Sequence, residues 1–179
     1  SPATVSRVGM VFMEPSRMGW RPQVQSWLST LPEVLLPHVE EIKDLFEWLV
    51  PPLLFFTRTA VPVPCPVTDV ELVASLVNLL ESMFNEPFVQ NVDPPRENDR
   101  SKVIEAMFIM SLTWSIGVVS TSAGRAKFND YLRALLAGNY DTPEFENFLT
   151  DAFFQRLVAC RHSPAAILGR TSSLLSSIR

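Results

Sequence analysis

From about Ser101 to Val118 the chain is apolar nearly all round, carrying Ile104, Met107, Phe108, Leu112 and Trp114. A helix without a polar face belongs in the middle of a bundle. Its most apolar part, Ala106 to Val119, is interrupted by Ser111, Thr113, Ser115 and Gly117. That falls short of the ~20 apolar residues a bilayer span needs, so the segment reads as a buried helix. Trp114 is expected at the enclosed centre, where truncating the ring would cost about 3–5 kcal/mol. Gly117 is expected to permit a close approach or to end the helix.

Other helices should surround this one. Pro22 suits a first turn, and Val24, Trp27, Leu28 and Leu31 then share one face, with Gln23, Gln25 and Ser26 opposite. Trp20 and Trp27 would anchor that helix. Pro32 stops it and Pro37 opens the next, whose stripe is Val39, Ile42, Leu45, Phe46 and Leu49. Glu40 and Glu41 point about 100° apart on a helix, so they read as a solvated face and not as a carboxylate pair. Pro51-Pro52 is expected to kink or break the helix, with Leu53 to Phe56 beyond the bend. Val61 to Pro66 alternates proline and reads as a stiff extended spacer.

Thr68-Asp69-Val70-Glu71 has the spacing of a capping box, with Val73, Leu76, Val77, Leu80, Met83 and Phe84 as the buried face that follows. Glu86 to Arg100 reads as a polar loop open to proteolysis. After the central helix, Phe128, Tyr131, Leu132, Leu135 and Leu136 form another inward face and Gly138 stands at its C-terminal cap. Arg125 and Arg133 on that helix are expected in solvent.

The first residues differ in kind. Met10 to Met13 is an unbroken apolar run of strand length after Gly9, suited to a parallel sheet covered on both faces. One strand cannot satisfy its own backbone groups. The rest of such a sheet is not in these residues, and the first residue is not methionine, so the chain is expected to be a piece of a larger protein. The fold class is accordingly mainly α, a helical bundle preceded by one orphan β-strand from an α/β core.

"SPATVSRVGMVFMEP" and "GWRPQVQSWLSTLP" resemble the second AAA+ module of dynein heavy chains, above all the axonemal ones. The "SLxWSxG" pattern at Ser111, Leu112, Trp114, Ser115 and Gly117, and "AGRAKFNDYLRALL" after it, fit the same family. The resemblance implies residues 1–20 as the end of an AAA+ core, 21–139 as the helical AAA+ lid and 140–179 as a divergent helix with a Ser-rich tail. It also puts Arg7 at the arginine-finger position; Val8 stands where the family usually has cysteine or another small residue. From about Tyr140 the resemblance ends. Thr142-Pro143-Glu144 is a good helix start, and Phe145, Phe148, Leu149, Ala152 and Phe153 follow at helical spacing. An alternative exon, a read-through or a mispredicted gene model would account for a divergent tail, and its phenylalanines would be a liability or would pack loosely on the bundle.

Several classes are disfavoured. Fifteen Lys and Arg against nineteen Asp and Glu give a net charge of −4, which offers no basic footprint for nucleic acid or an anionic membrane. Cys65 and Cys160, with His38 and His162, make neither a zinc set nor a disulfide scaffold. There is no GxxxxGK[ST] phosphate loop, no Walker B strand, no GxGxxG and no GxSxG elbow. These residues should therefore not bind and hydrolyse ATP by themselves, and an independent hydrolase lacks a nucleophile and base.

By resemblance the parent is an ATP-driven, minus-end-directed microtubule motor using ATP and Mg. Its partners would be the neighbouring AAA+ modules, dynein intermediate and light chains and microtubules. Its place would be the cytoplasm and cytoskeleton, in the axoneme of a cilium. The alternative reading is a free-standing helical interaction domain that docks partners on its apolar faces. Sequence upstream of Ser1 separates the two, since a motor would carry a phosphate loop there.

Overall fold

The computed structural model describes residues 18–84 and 97–137. Among these run α1 (Arg21–Leu28), α2 (Val39–Thr59), α3 (Asp69–Phe84), α4 (Glu97–Leu112) and α5 (Ser122–Ala137). A 3-10 turn, Glu33–His38, leads into α2, and a π turn, Thr113–Gly117, prolongs α4. The described part is thus mainly α, with no strand among the described residues. The expected strand Met10–Met13, Gly138 and residues 140–179 lie outside them.

Ile104, Phe108, Leu112 and Ile116 recur every four residues, and all four are completely enclosed. Against them pack α2 and α3, which bring Ile42, Leu49, Leu53, Leu76 and Leu80, equally enclosed. The ring of Phe108 meets that of Phe46 edge-on, with centroids 4.9 Å apart. On α5, Tyr131 stacks on Phe56 at 4.0 Å, and Phe128, Leu132, Leu135 and Leu136 are buried as their spacing requires. Arg125 and Arg133 are exposed, as expected.

Trp114 is not at the centre. It is 63% exposed. The four-residue step that links Ile104 to Phe108 leads on to Leu112 and Ile116, whereas Trp114 follows Ala106 and Met110 on the opposite side. Because the segment is apolar on both sides, composition hid which side faces in. The expected central burial of Trp114 is therefore corrected, and the enclosed aromatic of this segment is Phe108.

The prolines of α2 do not break it. Pro51 and Pro52 lie inside one helix of 21 residues. A proline inside a helix costs about 3 kcal/mol through its missing N–H and its clash with the preceding turn. Burying a Leu, Val or Phe side chain contributes roughly 1.5–3 kcal/mol each. Leu49, Val50, Leu53, Leu54 and Phe56 are all buried around the pair, so packing outweighs the local penalty. α4 begins at Glu97, inside the stretch expected as a polar loop, whose residues 86–96 lie outside the described ones. A first turn built from Glu-Asn-Asp-Arg carries no apolar period to mark it.

The capping box forms at the start of α3. The Thr68 backbone N–H donates to Glu71 Oε2 at 2.8 Å, the Thr68 hydroxyl donates to the same oxygen at 2.8 Å, and the Glu71 N–H returns to Thr68 Oγ1 at 3.4 Å. The bond from the Thr68 backbone, then the one from its hydroxyl, hold the Glu71 carboxyl below its ordinary pKa. A lowered folded-state pKa means stability present above the ordinary carboxylate pKa and lost as pH falls through the folded value. Thr68→Ala should cost about 1 kcal/mol at neutral pH. In thermal melts the gap between variant and parent should narrow at pH 3. Asp44, pushed up by burial and then by Glu40, has the opposite sign and cancels in that comparison.

The spacer after α2 is held at both ends. Arg58 pairs with Asp69 across it, Nε to Oδ1 at 2.8 Å, and the Thr121 N–H donates to the Pro62 carbonyl at 3.4 Å. Val61, buried, lies on Gly124 of α5, where an added Cβ would clash with Val61 Cγ1. A β-branched side chain has no free rotamer to yield. Gly124→Ala should therefore cost about 1–3 kcal/mol by overpacking, read as a lowered melting temperature. Gly117 acts likewise as expected, since a Cβ there would meet the Phe128 ring at 2.8 Å.

Candidate functional site

Arg7, the one residue to which the sequence assigns chemistry, lies outside the described residues. What the structure does describe is where the chain from that segment enters the bundle. Gly19 turns the backbone with φ of 68°, a left-handed conformation that favours glycine. Trp20 follows and is buried, its carbonyl taking the first bond of α1 from the Val24 N–H at 3.2 Å. Pro22 sits in the first turn of α1, where its missing N–H leaves no orphan.

Arg21 clamps this turn to α2. Its Nε donates to Glu47 Oε1 at 2.8 Å and its terminal nitrogen to Oε2 at 2.9 Å, a fork-on-fork pair. The guanidinium also lies 4.9 Å from the centroid of the Trp20 ring. The hydrogen bond to Glu47 raises the Arg21 pKa, burial opposing it and the Glu47 charge adding to it. Both side chains are partly in water, so the pair contributes at most about 1 kcal/mol. Its value lies in direction, because a planar fork fixes one orientation where a lysine would not.

From this clamp a chain of rings leads inward. Trp20 and Phe46 have centroids 6.4 Å apart, Trp27 and Phe46 6.0 Å, and Trp27 stacks on Phe84 at 6.0 Å. Phe46 then meets Phe108. Trp20 and Trp27 are core aromatics that fasten the junction to the bundle. Beside the junction lies an open groove of about 390 Å³ lined by Trp20, Arg21, Val24, Leu28, Val39 and Glu47.

A second polar cluster escaped sequence reasoning. His38 is buried, its Nδ1 2.9 Å from Glu41 Oε2, and the Ser101 hydroxyl donates to the same oxygen at 2.8 Å. The residue types are those of a catalytic triad, but the order is wrong: the carboxylate stands between serine and imidazole, so the imidazole is not the base of that hydroxyl. The cluster ties the 3-10 turn and α2 to α4. Glu40 is exposed and pairs with Lys43 at 3.3 Å, so the adjacent Glu40 and Glu41 do not converge.

The sequence holds no phosphate cradle, and among the described residues no group of three or more His, Cys, Asp or Glu is placed to hold a metal ion. Cys65 is exposed and unpaired with another cysteine. No helix among the described residues is long and apolar enough to cross a membrane.

A helical bundle of this kind is known. Residues 42–159 match the family model for the dynein heavy chain AAA lid domain, a match that continues past Tyr140. Human dynein axonemal heavy chain 1 is 38% identical over 143 residues, covering 74% of this chain and 3% of that protein. Rat dynein axonemal heavy chain 12 is 37% identical over 163 residues, covering 83% of this chain and 5% of that protein. Human dynein axonemal heavy chain 3 is 34% identical over 150 residues, covering 79% and 4%. No solved structure matches significantly. The chain thus spans a small part of the curated relatives' length, and with a lid-domain match over more than half of its residues it belongs to the axonemal dynein heavy chain family.

Proposed function

We propose that this chain is the end of the core and the helical lid of the second AAA+ module of an axonemal dynein heavy chain, a minus-end-directed microtubule motor. Arg7 serves as an arginine finger for the ATP and Mg bound by the preceding module. The lid passes closure of that site to the rest of the motor. In the intact heavy chain the partners are the neighbouring AAA+ modules and, through the whole motor, intermediate and light chains and microtubules. The seat is the axoneme.

The clamp at Arg21 and Glu47 is the observation that favours this reading. A segment that must present a guanidinium to a neighbour needs a rigid base, and the residues just after it are held by a bidentate pair, a buried indole and a chain of rings into the core. Arg7→Ala in the intact heavy chain tests it, with microtubule-stimulated ATP turnover as the readout. A large fall with folding retained is expected. Unchanged turnover would remove Arg7 from the mechanism.

The reading as a free-standing docking module draws on one observation, the exposed apolar side of α4.

A further inference from the structure

Of the four tryptophans only Trp114 stands in solvent, 63% exposed, with Val118 one turn further on at 38%. Together they line one side of an open groove of about 330 Å³, and Arg125, Asn129 and Leu132 of α5 line the other. Gly117 and the Phe128 ring, in close contact and both buried, lie between the two sides. Trp114 is carried by the π turn Thr113–Gly117, a widened turn of the kind that recurs at functional sites.

Charge along the α5 side of the groove has one sign. Arg125, Asn129 and Arg133 recur every four residues and so form a single exposed ridge, in which Arg133 Nε donates to Asn129 Oδ1 at 3.2 Å. No carboxylate is among the residues that line the groove. Asp130, the exposed acid of α5, falls about 200° round the helix from Phe128 and so faces away. This basic ridge runs against the net charge of −4 of the whole chain. We propose that the groove docks an amphipathic helix of a partner protein, with its apolar stripe on Trp114 and Val118 and its acidic flank on Arg125 and Arg133.

The spacing favours a helix as the occupant, because both walls repeat at one helical turn and a third helix of the same period can set its ridges between theirs. Tryptophan and arginine are also the residue types that most often carry the binding energy of an interface. A second copy of this chain fits less well. A two-fold contact through this face would turn each basic ridge toward its twin, with no acid in the groove to offset either. The inference makes no use of Arg7, and its failure would leave the arginine-finger reading standing.

A dye-labelled synthetic peptide of about 15 residues, with leucines at i, i+3, i+4 and i+7 and glutamates along one flank, tests the groove by fluorescence anisotropy against the 179-residue chain. The same peptide with lysine for each glutamate is the control. The acidic peptide should bind at least about tenfold more tightly than the lysine one, and Trp114→Ala should weaken it by a similar factor. Arg125→Glu/Arg133→Glu should reverse the preference, so that the lysine peptide now binds the better. All three side chains are exposed, so circular dichroism and melting of the variants should match the parent. Equal binding of the two peptides, no binding of either, or acidic-peptide binding that survives Trp114→Ala would overturn the proposal. So would self-association of the chain that Trp114→Ala abolishes, which would make a second copy the occupant. Acrylamide should quench Trp114 strongly in the chain alone; weak quenching there would show the groove already filled and would overturn the proposal as well.

Discussion

Phe108→Ala should lower the stability of the chain by about 3–5 kcal/mol, the cost of emptying a large buried aromatic site. For a chain of this size that is a fall in melting temperature on the order of 10 °C. The ring is fully enclosed and meets Phe46 edge-on at 4.9 Å, where α2 and α4 cross. Truncation removes dispersion contacts and the aromatic pair together. The neighbours Ile104 and Leu112, on either side along the same stripe, are themselves fully buried and have little room to collapse inward. Thermal or urea unfolding of the variant measures the cost. A loss below about 1 kcal/mol would show that the four-residue stripe of α4 is not the centre of the core.

Local chemistry was legible in the sequence wherever it repeats at short range. The Thr68–Glu71 box, the proline at the start of α1 and the inward face of α5 all depend on residues within one or two turns, and each stands as its spacing implies. Trp114 was misread because a two-sided apolar segment does not announce which side is inside; only the partners α2 and α3 decide that. The break that Pro51 and Pro52 allow does not occur for a related reason, since their local penalty is visible in the sequence and the burial that offsets it is not.

The Arg21–Glu47 clamp and the Glu41–Ser101 bond join residues far apart in sequence. Nothing at either end of those pairs marks the other. Family membership was legible from motifs, and the lid-domain match carries it. The role of Arg7 rests on resemblance, because one arginine before an apolar run has no chemistry of its own until a neighbour's phosphate is set beside it.

That dependence sets the second large effect. A guanidinium aimed at the γ-phosphate bound by another module neutralises charge that spreads over the transferred group in the transition state, and such fingers contribute about 10³–10⁵ in rate. Most of this arises only in the transition state, so nucleotide binding should change little while turnover falls. Lysine, a compact point charge without the planar fork, should restore only a small part. The decisive measurement is microtubule-stimulated ATP turnover by the intact heavy chain carrying Arg7→Ala, with ATP binding and melting temperature followed in the same preparation. The account predicts turnover lower by at least about 10³-fold with binding and folding retained; full turnover in that variant would contradict it.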